Sequence, residues 1–546
     1  VNNLEIAQAA ALRPIQDLAA EAGLSDSDYD PFGRYKAKLT PDGLQRLSRK
    51  APGKLVLVTA ITPTPAGEGK TTTCVGLAQG LCAIGRTALP AIREPALGPI
   101  FGIKGGACGG GYSQVLPMED INLFFTGDFP AVAAAHNLLS ALLDAHLNFG
   151  NAAGIDVRER LWPRTVDMND RALRQVVVGL GGKNGGVPRQ DEFVITPASE
   201  VMATLGMARD LADLRNRLGD IVIGSTRKRI PVRARDIQAN GAMAVLLRDA
   251  VRPNLAQTLE GGPALVHGGP FANIAHGCSS VSSLRAGLGM VEFTITEGGF
   301  GADLGAQKFL SLVVPLLGKT PDAIVLVATL RALAHHGEGE PDPVASGCAN
   351  LFRHAEHLKR YGPPVVVALN RFAGDSDAEL EKVVKLCAEQ DLVAIIADPA
   401  GSGGVGCRQL AQTIAKACDT PSTFEPIYRD EDSIAAKLDA VVRKAYGGEG
   451  IELSDQAERD LAWCAEHGYG NLPVCIAKTQ YSLSADSALR NAPTGFKVPI
   501  REIRVSAGAG FLVALAGEML LMPGLGKSPA ALHMDVDAQG RISGMY

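Results

Sequence analysis

Lys70 and Thr71 close a glycine-rich run, Pro63-Thr-Pro-Ala-Gly-Glu-Gly-Lys-Thr71, whose spacing suits a phosphate chain. The candidate contacts are Pro63, Thr64, Pro65, Ala66, Gly67, Glu68, Gly69, Lys70 and Thr71. Glycines let successive backbone N–H groups face an anion, a lysine adds a point charge, and a hydroxyl at the Thr71 position usually reaches Mg²⁺. The usual formula, G-x-x-x-x-G-K-[ST], asks for glycine at position 64, where this chain has threonine. The bland alternative is a tight turn with an exposed lysine, and its surroundings argue against it. Leu55 to Ile61 is an apolar, β-branched run that reads as a buried parallel strand, and a helical pattern continues from Lys70 through Leu77 and Leu81. Strand, glycine turn and helix in that order point to a nucleoside triphosphate.

Other residues could complete such a site. Arg93 and Glu94 follow a second strand-like run, Thr87 to Ile92, and are candidate catalytic residues. The fork of Arg93 suits an acyl phosphate or a carboxylate, although a surface pair with Glu94 would need no ligand at all. The stretch 91–111, with seven glycines and two prolines, cannot be a regular element, and it also carries Lys104. Phe300, between Gly299 and Gly301, is either a core plug or a ring for stacking on a flat ligand. Asp128 ends an apolar run, 118–128, that reads as a strand and a turn; it is a candidate substrate contact or simply a turn residue. The pair His354 and His357 is read as a solvated helix face rather than a metal site, because no third ligand is placed. There is no G-x-S-x-G, and so no sign of a serine hydrolase elbow.

The elements that must position these groups alternate. Strand-like runs at 264–267, 292–297, 323–329, 365–370 and 392–398 each lead into a glycine turn or a helix. This pattern predicts an α/β fold with a doubly wound, mostly parallel sheet and a phosphate loop at the carboxyl ends of its strands. At 546 residues more than one domain is expected. A shift in composition near 420–455 leads into a small C-terminal α+β domain at 454–546, and a large α/β domain at 1–362 and a second α/β domain at 363–453 are expected before it.

A net charge of −5 gives no case for nucleic acid as a partner. The longest apolar run, Phe511 to Met522, is too short to span a membrane, and there is no secretory signal pattern. Ten unpaired-looking cysteines read as small buried hydrophobes in a reducing compartment, so a cytoplasmic location is expected.

The sequence also resembles one family over nearly its whole length. Pro63 to Thr71, Arg93-Glu-Pro-Ala-Leu-Gly-Pro99, Gly105 to Tyr112, Pro117 to Leu123, Phe125-Thr-Gly-Asp128 and Ala198 to Met202 are similar to segments of formate–tetrahydrofolate ligases. So are Thr258 to Gly277, Gly299 to Gly305, Lys478 to Ser484 and Met522 to Leu525. In that family the phosphate loop lacks the first glycine, which accounts for Thr64. The resemblance implies ligation of formate to tetrahydrofolate, using ATP and Mg²⁺, through formyl phosphate. It assigns Lys70 and the loop to ATP, Arg93 to formyl phosphate and Phe300 to the pterin. It further implies a homotetramer activated by K⁺ or NH₄⁺. This chain departs from the family at Ala397 to Gly404, where an aromatic and a lysine are usual, at Phe129 to Val132, and at Gly526. The competing readings are another phosphate-loop kinase or ligase, and an ATP-hydrolysing switch protein.

Overall fold

The structure, a computed structural model, describes residues 2–65, 67–102, 108–517 and 519–545. It is α/β, built on one large, mostly parallel mixed sheet. The strands that matter for the site are β1 (Lys54–Ala60), β2 (Ala88–Ile92), β3 (Pro263–Val266), β4 (Phe293–Glu297), β5 (Ala323–Thr329), β6 (Val365–Asn370) and β7 (Val393–Ala397). They lie side by side and parallel in the order β3-β2-β4-β1-β5-β6-β7. Antiparallel strands extend the β3 edge, beginning with Asn254–Thr258.

The unbroken apolar runs of β1 and β5 follow from burial on both faces. Leu55 and Leu57 enter one core while Val56, Val58 and Ala60 enter the other, and Ile324 and Leu326 alternate with Val325 and Val327 in the same way. Each such side chain, fully buried, contributes roughly 1.5–3 kcal/mol. Helix α1 (Lys70–Ala83) packs in the second core, and helix α2 (Pro343–Lys359) packs in the first. The sheet runs on past residue 362, since β6 and β7 pair in register with β5 and with each other. The first core likewise continues into the C-terminal strands Val474–Ala477 and Phe511–Leu515.

Two local readings are overturned. The stretch 118–128 is not a strand: Met118–Asn122 is a short helix, and Asp128 is the first residue of a long helix, Asp128–Asn148. Short apolar runs do not distinguish the two states, and tertiary packing chose helix here. His354 and His357 are not solvated. Both are buried on α2, His354 against Thr62 and both beside the Ala302–Asp303 segment that follows β4, and burial pushes their pKa down to about 4 and about 3. Nine of the ten cysteines are buried as expected, Cys82 being the exception.

A buried ion pair ties the C-terminal segment to the loop after β4. Lys478 Nζ lies 2.6 Å from Asp303 Oδ2, both side chains are fully buried, and the ammonium also donates to the carbonyls of Thr479 and Ser482. Removing one partner leaves the other charge stranded, at a cost of about 3–5 kcal/mol. Lys478→Met is therefore expected to lower the urea unfolding midpoint clearly, and Lys478→Met with Asp303→Leu to recover much of it. An unchanged midpoint in the single variant would show that the pair contributes nothing.

Candidate functional site

The loop between β1 and α1 is braced from within. Thr64 N–H and Oγ1 both donate to Glu68 Oε1, at 2.8 and 2.9 Å, and Thr329 Oγ1 at the end of β5 donates to Glu68 Oε2 at 2.8 Å. Threonine at position 64 thus supplies a hydroxyl to a buried carboxylate four residues on, a role glycine could not fill. Gly69, at φ +72°, caps α1 in the left-handed region, and a Cβ there would also crowd the Asn370 amide, so glycine is required. Asn370, at the end of β6, donates to the Glu68 carbonyl at 3.2 Å and to Thr73 Oγ1 at 2.7 Å. Thr62, just before the loop, is held by Asn350, His354 and His336. Of the predicted contacts, Ala66 and the more distant Lys104 lie outside the described residues.

Lys70 begins α1 half-buried, and burial pushes its pKa below the ordinary lysine value against the pull of Glu297 and Glu68, with Arg93 adding to the depression. These four charges therefore share one neighbourhood. Thr71 Oγ1 donates to Glu297 Oε2 at 2.8 Å, and the other oxygen, Glu297 Oε1, is buried without a hydrogen-bond partner, 4.0 Å from Arg93 Nη2. Glu297 ends β4, the strand next to β1, and was not singled out from sequence. An apolar strand ending in an acid beside the loop strand is the signal that could have found it. A hydroxyl and a carboxylate with a spare oxygen are hard donors of the kind Mg²⁺ prefers, so the donor set fits the predicted metal role of Thr71.

Arg93, at the end of β2, donates from Nη1 to the Pro270 carbonyl at 3.2 Å, while its buried Nε has no partner. It is not the surface pair with Glu94 that sequence left open. The Phe300 loop closes over it: a Cβ on Gly299 would lie 3.1 Å from Arg93 Nη2, and one on Gly301 would meet Asp303 and the Ile61 carbonyl. Only glycines on either side allow so close an approach. Phe300 itself is half-buried at φ +60°, a conformation that costs a non-glycine residue about 1–3 kcal/mol and that clusters at ligand sites.

Glu94 and Asp128 form a buried carboxylate pair beside Lys38. Asp128 accepts from Lys38 Nζ and from Asn254 Nδ2, each at 2.7 Å, and all three residues are buried. Glu94 is buried beside Asp128, and burial first, then the Asp128 charge, hold its pKa well above the carboxylate range. Both Glu94 carboxylate oxygens are buried without a hydrogen-bond partner. The altered segment after β7 forms two helical turns broken at Gly403 within Pro399–Gly406, packed on α1 where Pro399 meets Gly76, with Ala397 buried.

The described residues contain no helix long and apolar enough to cross a membrane. The family model for formate–tetrahydrofolate ligases matches residues 1–546. The chain is 52% identical over 555 aligned residues to a protein named formate–tetrahydrofolate ligase from Symbiobacterium thermophilum, covering all of both chains. It is 51% identical to one so named from Paracoccus denitrificans, again over all of both, and 52% identical to one from Cereibacter sphaeroides, over 100% of this chain and 99% of that protein.

Proposed function

The chain belongs to the formate–tetrahydrofolate ligase family, and on that premise we propose that it joins formate to tetrahydrofolate with ATP, through formyl phosphate. A formate oxygen attacks the γ-phosphorus and ADP leaves; the N10 amine of the folate then attacks the formyl carbon, and phosphate leaves with the amine's proton passing to solvent. The single observation that carries this is convergence. Lys70, Thr71, Arg93 and Glu297 come together at the carboxyl ends of three neighbouring strands, with the Phe300 loop closed against Arg93.

In this reading residues 63–71 form a phosphate loop, and the strand–loop–helix order on a doubly wound sheet supports it. Backbone N–H groups and Lys70 hold the β- and γ-phosphates. The unpartnered donor of Arg93 is directed to the formate carboxylate and then to formyl phosphate, where a planar fork suits two oxygens. Thr71 and Glu297 would hold Mg²⁺, which when bound neutralises charge on the phosphate oxygens. Glu94, beside Arg93 in the chain, and Asp128, held by Lys38 and Asn254, are the further candidate catalytic and substrate contacts of this reading. A homotetramer, activation by K⁺ or NH₄⁺, and the domain division at 362 and 453 belong to the same proposal.

The pterin stacks on Phe300, and the strained αL backbone of that residue supports a ligand role over a core plug. ADP release from ATP should require formate and rise with tetrahydrofolate. Phe300→Ala should raise KM for tetrahydrofolate roughly 10–100-fold, the worth of one aromatic stack, with KM for ATP within about twofold. ADP release that ignores formate and folate would leave only a hydrolase or switch reading.

A further inference from the structure

Arg93 and the Phe300 loop rest on one short stretch of chain, residues 270–277, which follows β3. Its Pro270 carbonyl accepts from Arg93 Nη1 at 3.2 Å, and its Gly277 carbonyl accepts from Gly299 N–H at 2.9 Å. Ala272 is where these pieces meet. A Cβ on Gly299 would lie 2.6 Å from Ala272 Cβ, and one on Gly277, at φ +61°, would collide with the same atom. Whatever fixes Ala272 therefore fixes the guanidinium and the aromatic loop together.

What fixes it is a lysine. Lys308 Nζ donates to the Ala272 carbonyl at 2.5 Å, and the side chain is fully buried, beside the Cys475 thiol of the C-terminal strand Val474–Ala477. Lys308 stands between two π-helical turns, Ala302–Ala306 and Phe309–Val313, in the helical stretch that leads away from Phe300. Such turns recur at functional sites. Among the described residues no carboxylate is within ion-pair distance of Lys308: Asp303, the acid that pulls on it, is paired with Lys478 instead. Burial accordingly pushes the Lys308 pKa below the ordinary lysine value. A buried ammonium without a counter-ion is costly, and an apolar side chain of similar size would suit this core better. The cost falls at a position whose hydrogen bond reaches the floor of the candidate site.

We propose that Lys308 is a positioning residue for the ligation: by holding the Ala272 carbonyl it sets Arg93 and the Phe300 ring at the spacing that brings formyl phosphate and the folate amine together. This rests on the roles given above to Arg93 and Phe300. Lys308 lies buried beneath the loop and acts through those two residues.

Steady-state kinetics, equilibrium ADP binding and thermal unfolding of full-length Lys308→Met test this. For formate-dependent ADP release, kcat should fall about 10–100-fold, the effect of a misplacement on the order of 1 Å, with ADP affinity kept within about twofold. KM for formate and for tetrahydrofolate should rise, because both ligands are held from the displaced floor. The melting midpoint should stay within a few degrees of wild type: the variant strands one carbonyl and removes one buried charge, and the two effects oppose. Lys308→Gln keeps an N–H donor on a shorter arm, so its kcat should fall between wild type and Lys308→Met. Wild-type kcat in either variant, or a general loss in which ADP affinity falls as far as kcat, overturns the proposal. So does failure of both variants to fold, which would make Lys308 a support of the fold alone. Failure of the ligase reading shows separately, in wild type, as ADP release that does not depend on formate.

Discussion

Lys70→Ala is expected to reduce formate- and folate-dependent ADP release by about 10³-fold or more, with the fold intact. Phosphoryl transfer is carried mainly by positioning and charge neutralisation, and loss of one preorganised cation or donor at the transferring group costs at least 10²–10³. The structure adds a second, opposite expectation for stability. In the free protein, burial holds the Lys70 ammonium at a depressed pKa, so the charge is strained until a phosphate arrives. Removing it should leave the thermal midpoint unchanged or raised, the trade of stability against function typical of a prepared site. Lys70→Arg should not rescue, because a planar fork cannot replace a compact point charge at the first turn of α1. Turnover of Lys70→Ala within tenfold of wild type, measured alongside an intact melting transition, would remove Lys70 from the chemistry.

How much of this could be read from the sequence depends on the distance between partners. Strand β1, α1 and the alternation of strands were legible because each is specified locally, by β-branched runs buried on both faces and by glycine where φ turns positive. Lys70, Thr71 and Arg93 were legible for the same reason, each being tied to a strand end. Thr64 was a family marker without a physical reason, since its meaning lies in a hydrogen bond to Glu68 and, through it, to Thr329 at the end of β5. Glu297 passed unnoticed because its partner Thr71 is 226 residues away, and only the β4–β1 pairing makes them neighbours. The histidines of α2 misled for a related reason. Their helix has polar spacing, yet the Ala302–Asp303 segment packs on it, and Asp303 and Lys478 make the region a buried polar network. Asp128 also carried a plausible label on the wrong grounds: it looked like a strand-end carboxylate and is a helix-start residue locked to Lys38.

Glu297→Gln is the sharper test of the mouth itself. The substitution keeps size and one acceptor, so Thr71 can still donate, and only the charge and one oxygen's donor strength are lost. If Thr71 and Glu297 share Mg²⁺, the Mg²⁺ concentration needed for half-maximal turnover should rise at least roughly 10–100-fold, with a matching fall in kcat/KM for ATP at fixed metal. Its other neighbour gives a control with a different signature. Arg93 Nη2 stands 4.0 Å from Glu297 Oε1, and that attraction competes with an anionic ligand for the guanidinium. Were Glu297 only an orienting partner for Arg93, the variant would change KM for formate and leave the Mg²⁺ dependence where it was. The unpartnered Oε1 argues for the first outcome: a buried carboxylate oxygen without a hydrogen bond is costly unless a cation completes it, and Arg93 lies too far to do so by a hydrogen bond. The Mg²⁺ dependence is therefore the quantity that should move.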